Sequence, residues 1–74
     1  MNNTYFVIEF GVHVPEDSLS SIITGIGAYG NVSANSQPNQ YEVEVLRKSN
    51  VLKLKQRLLE WERYGFLKWH IEEK

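Results

Sequence analysis

A glycine-rich segment of this chain matches a known phosphate-binding pattern. Residues 25–30, GIGAYG, fit the spacing G-x-G-x-x-G that is typical of dinucleotide-binding turns. In those turns the glycines follow a strand and open a helix, so that the positive helix N-terminus faces the pyrophosphate. Here the segment closes a run of apolar residues at helical spacing, and it would present carbonyl oxygens to an anion. We therefore interpret the match as fortuitous and predict no nucleotide or other cofactor.

Ionisable side chains offer little further chemistry. His13 and His70 are the two histidines, and both are predicted on the outer face of neighbouring strands. Glu9 with His70, or with Lys68, could act as an acid–base pair, but without a nucleophile an ordinary cross-strand charge pair is the favoured interpretation. The two imidazoles are predicted too far apart to share a metal ion, and there is no cysteine. We predict no catalytic and no metal-binding residue.

The composition is that of a small globular protein. The chain has 74 residues, of which 42% are hydrophobic, enough for one compact domain over residues 1–74. The lack of cysteine and of a basic segment before the first apolar run predicts a cytoplasmic protein without a secretory signal. Residues 18–41 carry no charge but are rich in Ser, Asn, Gln and Gly, so they do not predict a membrane span.

Charge is divided unevenly along the chain. Residues 1–46 contain five acidic and no basic side chains, whereas residues 47–74 contain all eight Lys and Arg beside four Glu. The two parts therefore carry formal charges of −5 and +4. Because both parts interleave in a folded domain, we expect a charge difference between faces.

The spacing of apolar residues predicts six elements. In chain order they are a strand over residues 4–14, a helix over about 15–28, a hairpin over 31–47, a helix from about 50 to 64, and a strand over 66–73. This β-α-β-β-α-β order predicts an α+β, ferredoxin-like fold, with two helices on one face of a four-stranded antiparallel sheet. The first and third strands are expected at the centre and the second and fourth at the edges.

Several residues are predicted to begin or end the helices. Pro15 suits the first helical position, and Gly30 is interpreted as the residue that stops the first helix. Ser49 or Asn50 is predicted to cap the second helix, and Gly65 to end it in a left-handed conformation.

The open face of the sheet is a candidate protein interface. Its predicted apolar anchors are Tyr5, Val7, Leu46 and Phe66. Its predicted charged rim is formed by Glu9, Glu42, Glu44, Lys68 and His70. An apolar patch bordered by charge is typical of a surface that binds another protein.

Both helices have exposed positions that are unusual for a solvated helix. The first is predicted to expose small uncharged residues: Ser20, Ser21, Thr24, Gly25, Gly27 and Ala28. The second has a core stripe of Val51, Leu54, Leu58 and Trp61. Leu52 and Leu59 lie away from that stripe; the favoured interpretation is that they meet the first helix, and the alternative is that they reach a partner.

Nucleic-acid binding is the third hypothesis for this chain. RNA-recognition domains share the element order and place basic and aromatic residues on the third strand. Here the third strand carries Glu42, Glu44 and Leu46 on its outer face, and the carboxylates repel phosphate. The basic residues of the second helix, Arg47, Lys48, Lys53, Arg57 and Arg63, are interrupted by Glu60 and are typical of a solvated face.

The passage VPEDSLSSIITGIGAYGNVSAN, residues 14–35, resembles the first loop, helix and second strand of ACT-type regulatory domains. Glu16 stands where such domains favour Gly, so no ligand site is carried over. The resemblance implies a ligand-sensing or catalytic homodimer as the second hypothesis. The leading hypothesis is a small non-enzymatic protein-binding module, such as a regulator, an inhibitor or an immunity-type factor. It would act through the open sheet face or the first helix, on another protein or on a second copy of itself.

Overall fold

The computed structural model describes residues 3–73. Two helices and four strands follow one another in the predicted order β-α-β-β-α-β. They are β1 (Thr4–Phe10), α1 (Glu16–Ile26), β2 (Asn31–Ala34), β3 (Gln40–Val45), α2 (Lys48–Arg63) and β4 (Leu67–Glu73).

The four strands form one antiparallel sheet in the order β2-β3-β1-β4. The prediction that β1 and β3 lie at the centre is confirmed. At the middle of the sheet Val7 lies opposite Glu42 on β3 and opposite His70 on β4. Both helices pack on the same face of this sheet, so the architecture is the predicted ferredoxin-like α+β arrangement.

The core lies between the sheet and the two helices. It consists of buried apolar residues that alternate along the strands or recur at helical spacing: Phe6, Ile8, Phe10, Ile22, Ile26, Val43, Val45, Leu54, Leu58 and Leu67. The Phe6 ring lies 5.8 Å from the Trp69 ring, and the Phe10 ring meets Tyr41 edge-on at the same distance. The predicted core stripe of α2 is confirmed, because Leu54 and Leu58 are fully buried.

The first strand is shorter than predicted and ends at Phe10. A turn begins at Gly11, where the Val14 N–H donates to the Gly11 carbonyl at 3.1 Å. The His13 ring folds over Gly11 and occupies the space that a Cβ would need there. The prediction that His13 lies on a strand face is therefore wrong.

Both ends of α1 differ from the prediction. Pro15 is the N-cap residue, with φ −62° and ψ 149°, and its carbonyl accepts a hydrogen bond from the Leu19 N–H at 2.9 Å. Gly27 is the C-cap, so the prediction that Gly30 stops the helix is wrong. Gly30 instead lets its backbone approach the backbone of β3 closely, because a Cβ there would collide with the Glu44 carbonyl.

The ends of α2 confirm one prediction and overturn another. Arg47 is the N-cap residue and makes no side-chain cap, so neither Ser49 nor Asn50 caps the helix. The Asn50 amide instead donates to the Tyr29 carbonyl at 3.3 Å and ties α2 to the segment after α1. Gly65 adopts φ 79° just beyond the helix, in the left-handed conformation that was predicted.

Candidate functional site

One face of the sheet carries no helix among the described residues. Successive side chains of a strand point to opposite faces, so alternate residues of all four strands share this face. The register places on it Tyr5, Val7, Glu9, Asn31, Ser33, Gln40, Glu42, Glu44, Lys68, His70 and Glu72. We call these residues the open face.

The open face is acidic. It carries four carboxylates, those of Glu9, Glu42, Glu44 and Glu72, whereas its basic side chains are Lys68 and His70. Val7 lies at the centre and is only 5% exposed, because side chains on both neighbouring strands flank it. The apolar part of this face is therefore smaller than the sequence predicts, and its charge is the dominant feature.

Two hydrogen bonds hold one of these carboxylates in place. Glu44 Oε2 accepts from the Asn3 amide at 2.9 Å and from the Tyr5 hydroxyl at 3.0 Å. Hydrogen bonds to an ionised acceptor are stronger than those between neutral groups. Tyr5 thus lies on the predicted face and orients Glu44 there.

Glu9 and His70, the alternative acid–base pair, do not lie opposite each other in the register. His70 lies opposite Val7 and contacts Glu72 of its own strand, with 3.1 Å between Nε2 and Oε2. Glu9 lies opposite Lys68 in the register. The side chains of His70 and Glu72 are 59% and 45% exposed, as in an ordinary surface pair.

Two of the predicted apolar anchors lie elsewhere. Leu46 follows the last residue of β3 and is 67% exposed at the end of the sheet. Phe66 precedes β4 and lies on the helix side, where it lines a cleft with Ile22 and Trp61. The prediction is wrong for Phe66, because the left-handed turn at Gly65 redirects the chain before β4 begins.

Leu52 and Leu59 are 66% and 48% exposed, so the favoured interpretation that they meet α1 is wrong. The α1 side of α2 is marked by Asn50, which bonds to the segment after α1, and by Trp61, which lies next to Gly25. At about 100° of rotation per residue, Leu52 and Leu59 lie roughly 120° to 140° from the core stripe, in the opposite sense from α1.

Between these leucines and the core stripe, α2 has a flank that faces the last strand. Glu62 lies on the same flank of the helix and lines a cleft with Leu67 and Lys68 of β4. Among the strands, α2 packs mainly against β4. The two exposed leucines therefore lie on the outer surface of α2, on the β4 side of the helix and not on its α1 side.

A cleft lies beyond the end of β1 and beside the start of β4. Its volume is about 440 Å³, and its ionisable lining residues are Glu9, His13, Glu62 and Lys68, without a hydroxyl side chain. Within residues 3–73, no group of three His, Asp or Glu side chains is placed to hold a metal ion.

Arg57, one of the basic side chains of α2, contacts the segment after α1 and a glutamate of its own helix. Arg57 interacts with the Tyr29 hydroxyl, and this hydrogen bond, followed by the charges of Tyr29 and Glu60, raises the pKa of Arg57 above its usual value. The distance from Arg57 to Glu60 is 3.8 Å, and both side chains are exposed. Such surface pairs stabilise little.

After Asp17, the exposed side of α1 is uncharged, as predicted. Ser20, Ser21 and Thr24 are exposed, and the Thr24 hydroxyl donates to the Ser20 carbonyl at 2.8 Å. This hydroxyl is therefore satisfied within the helix.

Sequence reasoning missed Asn3, which orients Glu44, and Glu72, the fourth carboxylate of the open face. Asn3 and Glu72 were not among the predicted site residues, although each continues the two-residue period of its strand. That period runs through Asn3, Tyr5 and Val7, and through His70 and Glu72. Extending the alternation by one step at each end was the signal that could have found them.

Comparison with known proteins finds no matching protein family, no similar curated protein and no similar solved structure. Within the described part of the chain, neither helix has the length and the apolar character that a membrane span requires.

Proposed function

We propose that this protein is a non-enzymatic protein-binding module whose open face binds a basic surface or segment of another protein. One observation carries the proposal: a sheet face without a covering helix places four carboxylates around a buried apolar centre at Val7. Binding through this face would regulate or inhibit the partner by occupying its basic surface.

The charges on the open face support the choice of partner. A row of carboxylates on one surface attracts a basic partner over several ångströms and accelerates encounter. Glu44 is held by Asn3 and Tyr5, so it loses little side-chain freedom when a guanidinium or ammonium group binds. The same carboxylates repel a phosphate backbone, which favours a protein partner over a nucleic acid.

The test compares affinity capture by three forms of the tagged protein from nuclease-treated lysate of its source cell. The first form is unaltered, the second carries Glu42→Gln and Glu44→Gln on the open face, and the third carries Glu60→Gln and Glu62→Gln on α2. Both double variants remove two negative charges, but only the variant with Glu42→Gln and Glu44→Gln removes them from the open face.

The proposal requires a partner, identified by mass spectrometry, that the unaltered protein and the α2 variant retain and the open-face variant loses. Its binding should weaken as salt concentration rises, because salt screens exposed charges. If every captured protein is retained equally by the open-face variant, the open face is not the binding surface and the proposal fails.

A further inference from the structure

The outer edge of β4 is a long unpaired strand edge. β4 has seven residues and lies at the end of the sheet, and no described residue pairs with its outer side. A strand edge of this kind presents N–H and C=O groups that can pair with another chain.

The hydrogen-bond pattern identifies the groups on this edge. The Gly11 N–H donates to the Phe66 carbonyl at 3.0 Å, and this pair continues the register of β1 with β4. In an antiparallel ladder only every second residue bonds to the same neighbour. Lys68, His70 and Glu72 therefore bond toward β1, whereas the backbone groups of Trp69 and Ile71 point outward.

We infer that this edge pairs antiparallel with β4 of a second copy of the chain and extends the sheet to eight strands. A two-fold axis at His70 places Trp69 opposite Ile71 of the partner subunit. These are the residues whose backbone groups point outward, so the ladder continues correctly. An aromatic residue opposite a β-branched one is also a favourable cross-strand pair.

The charges of β4 complement one another in this register. Lys68 lies opposite Glu72 of the partner subunit, and by symmetry Glu72 lies opposite the partner's Lys68, which makes two ion pairs. Sliding one strand by two residues in one direction would place Lys68 opposite the partner's His70. Sliding it the other way would place Glu72 opposite the partner's His70, and in both shifted registers the two Lys68–Glu72 pairs are lost.

The helix layer supports the same arrangement. Leu52 and Leu59 are exposed on the outer surface of α2, on the β4 side of the helix, and Trp69 and Ile71 of β4 are only half-buried. A two-fold axis perpendicular to the sheet brings the α2 helices of both copies together on one side, where these apolar side chains cover each other. On the other side the two open faces become one continuous acidic surface.

The test is a charge-reversal experiment read by sedimentation velocity over a concentration series. Lys68→Glu places two glutamates opposite each other at both pairs, and Glu72→Lys places two lysines there. Each should raise the dimer dissociation constant about tenfold or more, since both ion pairs become repulsive. Lys53→Glu and Glu60→Lys make the same charge changes on exposed positions of α2 and should leave the constant unchanged.

An equimolar mixture of the two single variants supplies the decisive comparison. A heterodimer of Lys68→Glu with Glu72→Lys has two attractive pairs, so mixing should restore dimers, and the double variant should restore them in one chain. Circular dichroism melts establish that each variant is folded, and the double variant keeps the test valid if a single variant is not. A monomer at every concentration, or a mixture no tighter than its components, would overturn the inference.

This inference does not depend on the binding proposed for the open face. The dimer is measured on the purified protein alone, whereas the proposed function is tested with Gln variants on β3. If either experiment gives a negative result, the result of the other can therefore still be interpreted.

Discussion

The two edges of the sheet differ in how well they are protected against pairing with another chain. β2 has four residues, ends in a turn that contains Pro38 and the left-handed Asn39, and is mostly exposed. β4 has seven residues and carries Trp69 and Ile71 on its inner face. Short edges next to proline turns are typical of strands protected against pairing.

This difference indicates that the two edges have different roles. β2 has no charged residue within its four positions, so it offers no complementary pairs to a second copy. β4 offers Lys68 and Glu72 at symmetric distances from His70. A long edge with self-complementary charges is expected where pairing is used, and a short neutral edge where it is avoided.

The largest expected effect comes from comparing a buried leucine of α2 with an exposed leucine of the same helix. Leu58→Ala should lower the free energy of unfolding by about 2 to 5 kcal/mol, because Leu58 is fully buried. Leu59→Ala should change it by less than about 1 kcal/mol but weaken self-association. Urea unfolding and sedimentation velocity measure the two quantities.

Equal losses of stability in these two variants would mean that Leu59 is part of the core of each subunit. The account of α2 as a helix with one buried and one interfacial side would then be wrong.

The second prediction concerns a substitution that disrupts the β2 edge alone. Gly30→Ala should destabilise the protein by about 1 to 3 kcal/mol, because the new methyl group collides with the Glu44 carbonyl beside β2. In urea unfolding, Gly25→Ala is the matched control. Its methyl group has room beside Trp61, so it should stabilise α1 by up to about 1 kcal/mol.

If the two edges are independent, Gly30→Ala leaves the dimer dissociation constant unchanged in folded protein. A large change in that constant would contradict the assignment of pairing to β4.

The smallest expected effect concerns the strand pair that lies between the two edges. Tyr5→Phe removes the hydroxyl that donates to Glu44 and should cost about 0.5 to 1.5 kcal/mol of stability. Tyr64→Phe is the control, because Tyr64 is 74% exposed. Thermal melts that show no difference between the two variants would mean that the Tyr5 contact does not stabilise the fold.

The fold was predictable because its signals are local. Period-two alternation marked β1 and β3, and helical spacing marked Leu54 and Leu58, so element order and core followed from neighbouring residues. The role of Gly30 was not predictable, because it depends on a contact with a distant segment. Gly30 is constrained by the Glu44 carbonyl across the hairpin.

The candidate site was predictable only in part. Glu42 and Glu44 were placed correctly, because alternation within a strand fixes the face of each residue. Phe66 was misplaced because it lies one residue outside β4, in a turn set by Gly65. The orientation of Leu59 depends on which side of α2 packs against α1, and no spacing within one helix contains that information.

Hydrogen exchange at four backbone amides tests most directly whether β4 is the pairing edge. The outward amides are those of Trp69 and Ile71 on β4 and of Val32 and Ala34 on β2. On β2 the hydrogen bond from the Asn35 N–H to the Gln40 carbonyl shows which residues bond toward β3, so the residues between them point outward. We predict that exchange of the two β4 amides slows as protein concentration rises, while the two β2 amides exchange rapidly throughout. Rapid exchange of the β4 amides at every concentration would contradict the account.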